Sequence, residues 1–204
     1  SPARWIDAVT TKPDPALSSY YVGEDFYRDV VAAFTDWQSD DAEIRDPAVR
    51  DSCRMVVERE ARLLDQGQHD EWLALYAPEC LYWVPASPDG GDPSREIAIA
   101  FDDRRRLGDR IFRLMSGHAW SQQPPSRTSR LVSNVSVFAT ADADIVMTRS
   151  NFLTTEFQAG DTRTHAGWTG HRLRRWDGDG WKIVVKQVNL INCDQNLRNP
   201  SITF

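Results

Sequence analysis

Apolar residues recur at helical spacing through the first part of the chain and at every second position from residue 130 onward. In EDFYRDVVAAFTDW (24–37), Phe26, Val30, Val31 and Phe34 fall on one face, which predicts a short helix within an N-terminal arm, residues 1–45. Pro2, Pro13 and Pro15 break the stretch before it, and TDWQSDDAEIRD (35–46) reads as a polar linker. Asp46-Pro47 opens the main body, residues 46–204, as an Asp cap with Pro at the first helical position. Val49, Cys53, Val56, Val57, Glu60, Leu63 and Leu64 then form one stripe, and Gly67 ends the helix. Glu60 stands on that stripe among apolar neighbours. A carboxylate buried there needs a partner, for which an arginine is one candidate.

Asp70 is expected to start a second, shorter helix with Trp72, Leu73, Leu75 and Tyr76 as its apolar face, and Pro78 to help end it. LYWVP (81–85) is a short β-prone run, SPDGGDPS (87–94) a turn-rich loop, and REIAIAF (95–101) a short strand or a helix lead-in. Asp102 or Asp103 caps a third helix, with Leu107, Ile111, Phe112 and Leu114 facing inward. Arg104, Arg105 and Arg106 take other faces of its first turn. The helix dipole disfavours positive charge there, so acidic partners are expected. PPSRTSRLVSNV (124–135) reads as a basic loop, bearing Arg127 and Arg130, that enters a buried strand. Strands follow at 130–140, 145–158, 164–176 and 181–192; ADAD separates the first two, and DGDG between the last two is a strong hairpin signal. Helices first and an antiparallel meander afterwards predict an α+β fold: a curved antiparallel sheet wrapped around the helices as a cone.

A length of 204 residues suits one domain with an appendage. The net charge of −6 argues against a general nucleic-acid binder. Cys53, Cys80 and Cys193 are too few and too scattered for a disulfide framework, which suits a reducing cytoplasm. No apolar run approaches the roughly 18 residues of a membrane span. The opening SPARWIDAVT has no signal-peptide core, and its lack of Met suggests the loss of at least one residue.

The motifs of redox and hydrolytic chemistry do not occur. No Cys is paired with a His at Rieske spacing, and there is no CxxC, HExxH, GxSxG, P-loop or GxGxxG. The histidines are His69, His118, His165 and His171. His165 and His171, six apart on one expected strand, share a face, which polar strand residues explain better than a metal site. Cys193 is expected to be buried and inert. A cone could still host acid–base chemistry, with Asp70, Asp102, His118 and His165 as candidates. That leaves a stand-alone dehydratase or isomerase as the alternative reading.

Four segments in order, REARLLDQGQHDEWLALYAPECLYWVP (59–85), DDRRRLGDRI (102–111), HAWSQQPPSRTSRLVSNV (118–135) and LINCDQNLRNPSITF (190–204), give the chain a family likeness. From residue 47 to 204 it resembles the small (β) subunit of aromatic-ring-hydroxylating dioxygenases. The resemblance implies a cone like that of nuclear transport factor 2 and scytalone dehydratase. It implies a hetero-oligomer, typically three small and three large subunits, so the partners are the large (α) subunit and other copies of this chain. The large subunit would carry the Rieske 2Fe-2S cluster and a mononuclear iron, with electrons from a reductase, often through a ferredoxin. This chain would hold no metal, no cofactor and no catalytic residue, and would touch neither nucleic acid nor membrane. Arg104, Arg105, Arg106, Trp120, Arg127 and Arg130 then become candidates for subunit-interface or structural contacts, because Arg and Trp tend to dominate interfaces.

Overall fold

The computed structural model describes residues 24–88, 90–93, 95–116, 124–178, 180–199 and 201–204. Its elements are α1 (Glu24–Ala33), α2 (Pro47–Asp65), α3 (His69–Ala74), β1 (Tyr76–Pro85), β2 (Ala98–Asp103), α4 (Arg104–Met115), β3 (Arg127–Ala139), β4 (Ile145–Gln158), β5 (Asp161–Trp176) and β6 (Gly180–Leu190). The strands form one sheet in the order β2-β1-β6-β5-β4-β3. β3 to β6 are the expected antiparallel meander. β1 pairs antiparallel with β2 and parallel with β6, because the chain returns to β1 only after the whole meander.

The inner face of the sheet packs on α2. The Asp46 side chain caps α2 by accepting from the Ala48 and Val49 amides, and Pro47 occupies the first turn. Cys53, Val57, Glu60, Leu63 and Leu64 are buried, as the stripe requires. At Gly67, φ is +66°, a conformation that suits glycine after a helix. α3 starts at His69, one residue before Asp70, and Trp72 is its buried anchor. Tyr76 is not helical; it begins β1, so this strand is longer than LYWVP and Pro78 lies within it. The β1–β6 register skips from Tyr76 to Leu81, so proline sits where the ladder is interrupted. REIAIAF resolves into β2, and Asp103 caps α4 by accepting from the Arg106 amide. Leu107 and Ile111 bury, but Phe112 is 45% exposed, so α4 has a narrower inward stripe than the pattern suggested.

Two corrections concern β3. Arg127 to Arg130 are already strand residues, not a loop. β3 is also the sheet edge, and its first half is largely exposed instead of buried; Leu131 is 64% exposed. The strand contains a bulge as well. Ser133 pairs with Asn151 and Ser136 with Arg149, three steps against two, and Asn134 takes φ +54° to accommodate the extra residue. Parity flips across it: Arg130 and Val132 face inward before the bulge, Val137 after it.

The outer face carries a second core. Val30 of α1 is fully buried against Ala77, Leu81, Trp83, Val184 and Val185, with Phe26 and Phe34 packed beside it. The expected helix is thus present, four residues shorter at its end, and it covers one part of the sheet. The linker joins the body too: Ile44 donates its amide to the Val137 carbonyl at 2.8 Å. Residues 1–23 lie outside the described residues.

Candidate functional site

Glu60 is the centre of the interior. Its helix stripe carries it against the inner face of the sheet, where it is 2% exposed. Trp72 Nε1 (3.1 Å) and Tyr76 OH (2.7 Å) donate to Oε1. Lys186 Nζ (2.8 Å) and His171 Nε2 (3.0 Å) reach Oε2. The partner foreseen as an arginine is therefore a lysine and a histidine from β6 and β5. Burial alone would raise the Glu60 pKa, but the Lys186 ammonium and the His171 hydrogen bond outweigh it and hold the carboxyl well below its usual range. Burial lowers the pKa of His171, so the ring is neutral at pH 7 with its proton on Nε2. Burial also lowers Lys186, against the pull of Glu60 that keeps it an ammonium.

A second buried group lies toward the edge. Arg130, with a side chain 6% exposed, pairs through Nη1 with Asp65 at the end of α2 and donates through Nη2 to the Thr203 carbonyl. The Arg130 amide (2.8 Å) and Thr128 Oγ1 (2.9 Å) also donate to Asp65, so one carboxylate ties helix to strand three times. A third group is Glu156, fully buried, which accepts from Asn199 Nδ2 at 2.5 Å and faces His165 Nε2 at 3.5 Å.

His165 and His171 do share the inner face, as their spacing requires. The acid–base candidates do not form one site. Asp70 is exposed on α3, Asp102 is paired with Arg110 at 2.5 Å on β2, and His165 faces Glu156 on β5. His118 and Trp120 lie outside the described residues. Arg104 donates to the Leu73 (2.6 Å) and Tyr76 (2.9 Å) carbonyls, and Arg106 to the Phe101 carbonyl at 3.3 Å. Only Arg105 has a carboxylate partner, Asp109 one turn on at 3.2 Å. The helix start is thus relieved mainly by carbonyls of neighbouring elements, not by acids. Arg127 stacks over the Phe157 ring at 4.8 Å. Sequence reasoning missed Lys186, although a lysine inside the apolar run IVVKQVNL was the matching signal for a glutamate on an apolar helix stripe.

Chemically, the Glu60 carboxylate is satisfied and the interior nearly full. Both Glu60 oxygens accept two hydrogen bonds, and the remaining cavity against Lys186, His171 and Phe204 is about 20 Å³, space for one water. Outside it, an open cleft of about 490 Å³ is bounded by Asp65, His69, Arg127, Thr128 and residues 201–203. Cys53, Cys80 and Cys193 are buried free thiols; burial pushes Cys53 up to about 11 and Cys80 up to about 12, out of nucleophilic range. Among the described residues no group of three or more His, Cys, Asp or Glu could hold a metal ion, and no helix is long and apolar enough to cross a membrane.

This architecture recurs in known proteins. An NTF2-like protein with a cystatin-like fold from Novosphingobium aromaticivorans superposes with TM-score 0.52 at 16% identity, covering 89% of this chain and 100% of its own, and shares the fold. The β subunit of benzoate 1,2-dioxygenase from Burkholderia mallei superposes with TM-score 0.59 at 28% identity, over 72% of this chain and 94% of its own. In sequence, the small oxygenase component of the p-cumate 2,3-dioxygenase system of Pseudomonas putida is 36% identical over 137 residues, 66% of this chain and 75% of the relative. The family described as ring hydroxylating beta subunit matches residues 59–195, which include Glu60, Asp65, Arg130, His171 and Lys186. The chain belongs to the family of β subunits of aromatic-ring-hydroxylating dioxygenases.

Proposed function

We propose that this chain is the structural partner of an iron-bearing large subunit and takes no direct part in the chemistry. Three copies would join three large subunits. These would carry the Rieske 2Fe-2S cluster and the mononuclear iron, fed by a reductase or ferredoxin in the cytoplasm. The observation that carries this reading is the filled interior. Every ionised group that could act as acid or base there is engaged by another, and the chain's own Phe204 occupies the space a substrate would need. The outer face has the opposite character. Leu131, Leu153 and Phe157 are exposed beside Arg127 on neighbouring strands, a combination that suits contact with another subunit. Arg104 and Arg130 serve the fold of the chain itself, whereas Arg127 faces a partner.

The test is co-expression with the large subunit. Sedimentation should find one complex, with iron retained by the complex and not by this chain alone. His165→Ala in the complex should leave turnover within about tenfold, equivalent to about 1.4 kcal/mol of barrier. A thousandfold loss with assembly and iron content intact would overturn the structural reading in favour of chemistry inside the cone.

A further inference from the structure

Phe204 sits in the cone with polar partners that an ordinary core phenylalanine does not need. Its ring lies edge-on to His165 (centroids 5.2 Å) and tilted to Phe152 (6.0 Å). Its amide donates to Tyr82 OH at 3.0 Å, and its main-chain oxygen accepts from the buried Lys186 Nζ at 2.5 Å. One residue earlier, the Thr203 oxygen accepts from Arg130 Nη2. Lys186 and Arg130 each already have a carboxylate, Glu60 and Asp65. Each also directs a further donor at an oxygen of the tail. Two more buried nitrogens, Arg130 Nε and His171 Nδ1, have no hydrogen-bond partner, and both side chains line the small cavity beside Phe204. On the other side, Ser201, Ile202 and Thr203 wall the open cleft, which Arg130 also lines. The tail therefore stands between the cleft and the interior.

We propose that the cone interior is a binding site for an aryl carboxylate, a ring joined by a short chain to a carboxylate, and that Thr203 and Phe204 fill it in cis. The complementarity has two parts. Phe152 and His165 form the walls for a ring. Lys186 and Arg130 supply two cationic donors for two oxygens, and charge-assisted bonds of this kind favour a carboxylate over a neutral group. 3-Phenylpropionate carries the ring and the Lys186-bound oxygen at the spacing Phe204 itself uses, and its second oxygen is left for the Arg130 donor that the Thr203 carbonyl now occupies. In the intact chain the tail competes at an effective concentration in the millimolar range or above, so a free acid enters poorly.

Two variants test this. Phe204→Ala in the full chain removes only the ring and keeps the tail oxygens. Toluene should raise its melting temperature by about 3–5 °C while leaving the parent chain unchanged. A chain ended after Ile202 frees both donors. By calorimetry it should bind 3-phenylpropionate at least about tenfold tighter than neutral 3-phenyl-1-propanol, and at least about a hundredfold tighter than the intact chain does. Should the shortened chain not fold by itself, recovery of cooperative unfolding on adding the acid supports the site, and failure to recover overturns it. Equal affinity for acid and alcohol also overturns it, since the interior would then be only an apolar cavity, as does a Phe204→Ala chain whose melting temperature ignores toluene.

Discussion

Arg127 and Arg130 come from one short motif and end in opposite settings. They stand three residues apart on β3, so the pleat sends them to opposite faces. Arg130 turns inward and is held by Asp65 and the Thr203 carbonyl in a nearly dry site. Arg127 turns outward and lies over Phe157 at the sheet edge. The same contrast runs through the whole sheet. Its inner face is rich in buried ionised and polar groups that satisfy one another: Glu60, Lys186, His171, Glu156 and Asn199. Its outer face carries apolar groups among polar ones, covered by α1 at one part and exposed at Leu131, Leu153 and Phe157 at another. The inner polar groups tie α2 and the last residues to the sheet, and the exposed apolar residues are those we propose for subunit contact.

The contrast breaks most sharply at Glu60. Glu60→Gln leaves the Lys186 ammonium buried without its counter-charge, and uncoupling a buried pair costs about 3–5 kcal/mol. A urea-melt midpoint close to that of the parent would show that the interior network adds little to stability. Next is Arg130→Lys, which keeps the charge but loses the fork that reaches Asp65, Thr128 and Thr203 together. Losing charge-assisted bonds in so buried a site should cost about 2–3 kcal/mol of folding stability, read by the same melts.

Acid should act on the inner face through His171 and Glu60. In the unfolded chain His171 titrates near 6.5. In the folded chain burial holds its pKa lower, so between the two values the unfolded chain binds more protons. Stability is therefore complete above about pH 6.5 and falls as pH drops below it, by up to about 1.4 kcal/mol per pH unit for one proton. Glu60 extends the loss below about pH 4.3, because its folded pKa is depressed and its contribution is present only above the unfolded value. His171→Gln keeps a donor for Glu60 but does not titrate. Its stability should fall less steeply than the parent's below about pH 6.5, the remainder coming from His69, whose pKa burial also lowers; an unchanged slope would assign the whole effect to another group. The smallest effect is expected on the outer face. Arg127→Ala should change folding by about 0.5–1 kcal/mol, the worth of an exposed cation–ring contact. Its larger consequence should appear as weaker assembly with the large subunit at nanomolar concentration, and parent-like assembly would show that Arg127 is only a solvated surface charge.

Much of the fold was legible because its signals are local. The Asp46-Pro47 cap, the α2 stripe and the Asp177-Gly178 turn, where φ is +40° and +82°, each depend on residues within a few positions. Strand parity likewise placed His165 and His171 on one face. What failed was long-range. That Arg127–Arg130 belongs to an exposed edge follows from the order of strands, which no window of the chain contains. The bulge at Asn134 reverses the parity of half a strand, and a single asparagine in an alternating run gives little warning of it.

The sequence by itself determined the class of the fold, the existence of a buried carboxylate on α2, and the family, since these rest on periodicity and on four ordered segments. The tertiary structure alone decided what that carboxylate meets. Glu60 lies 111 residues from His171 and 126 from Lys186 along the chain. Each charge stands out locally in its own apolar run, but nothing local pairs them. It exists because β5 and β6 fold back beside α2, and because burial there makes each charge intolerable without the others.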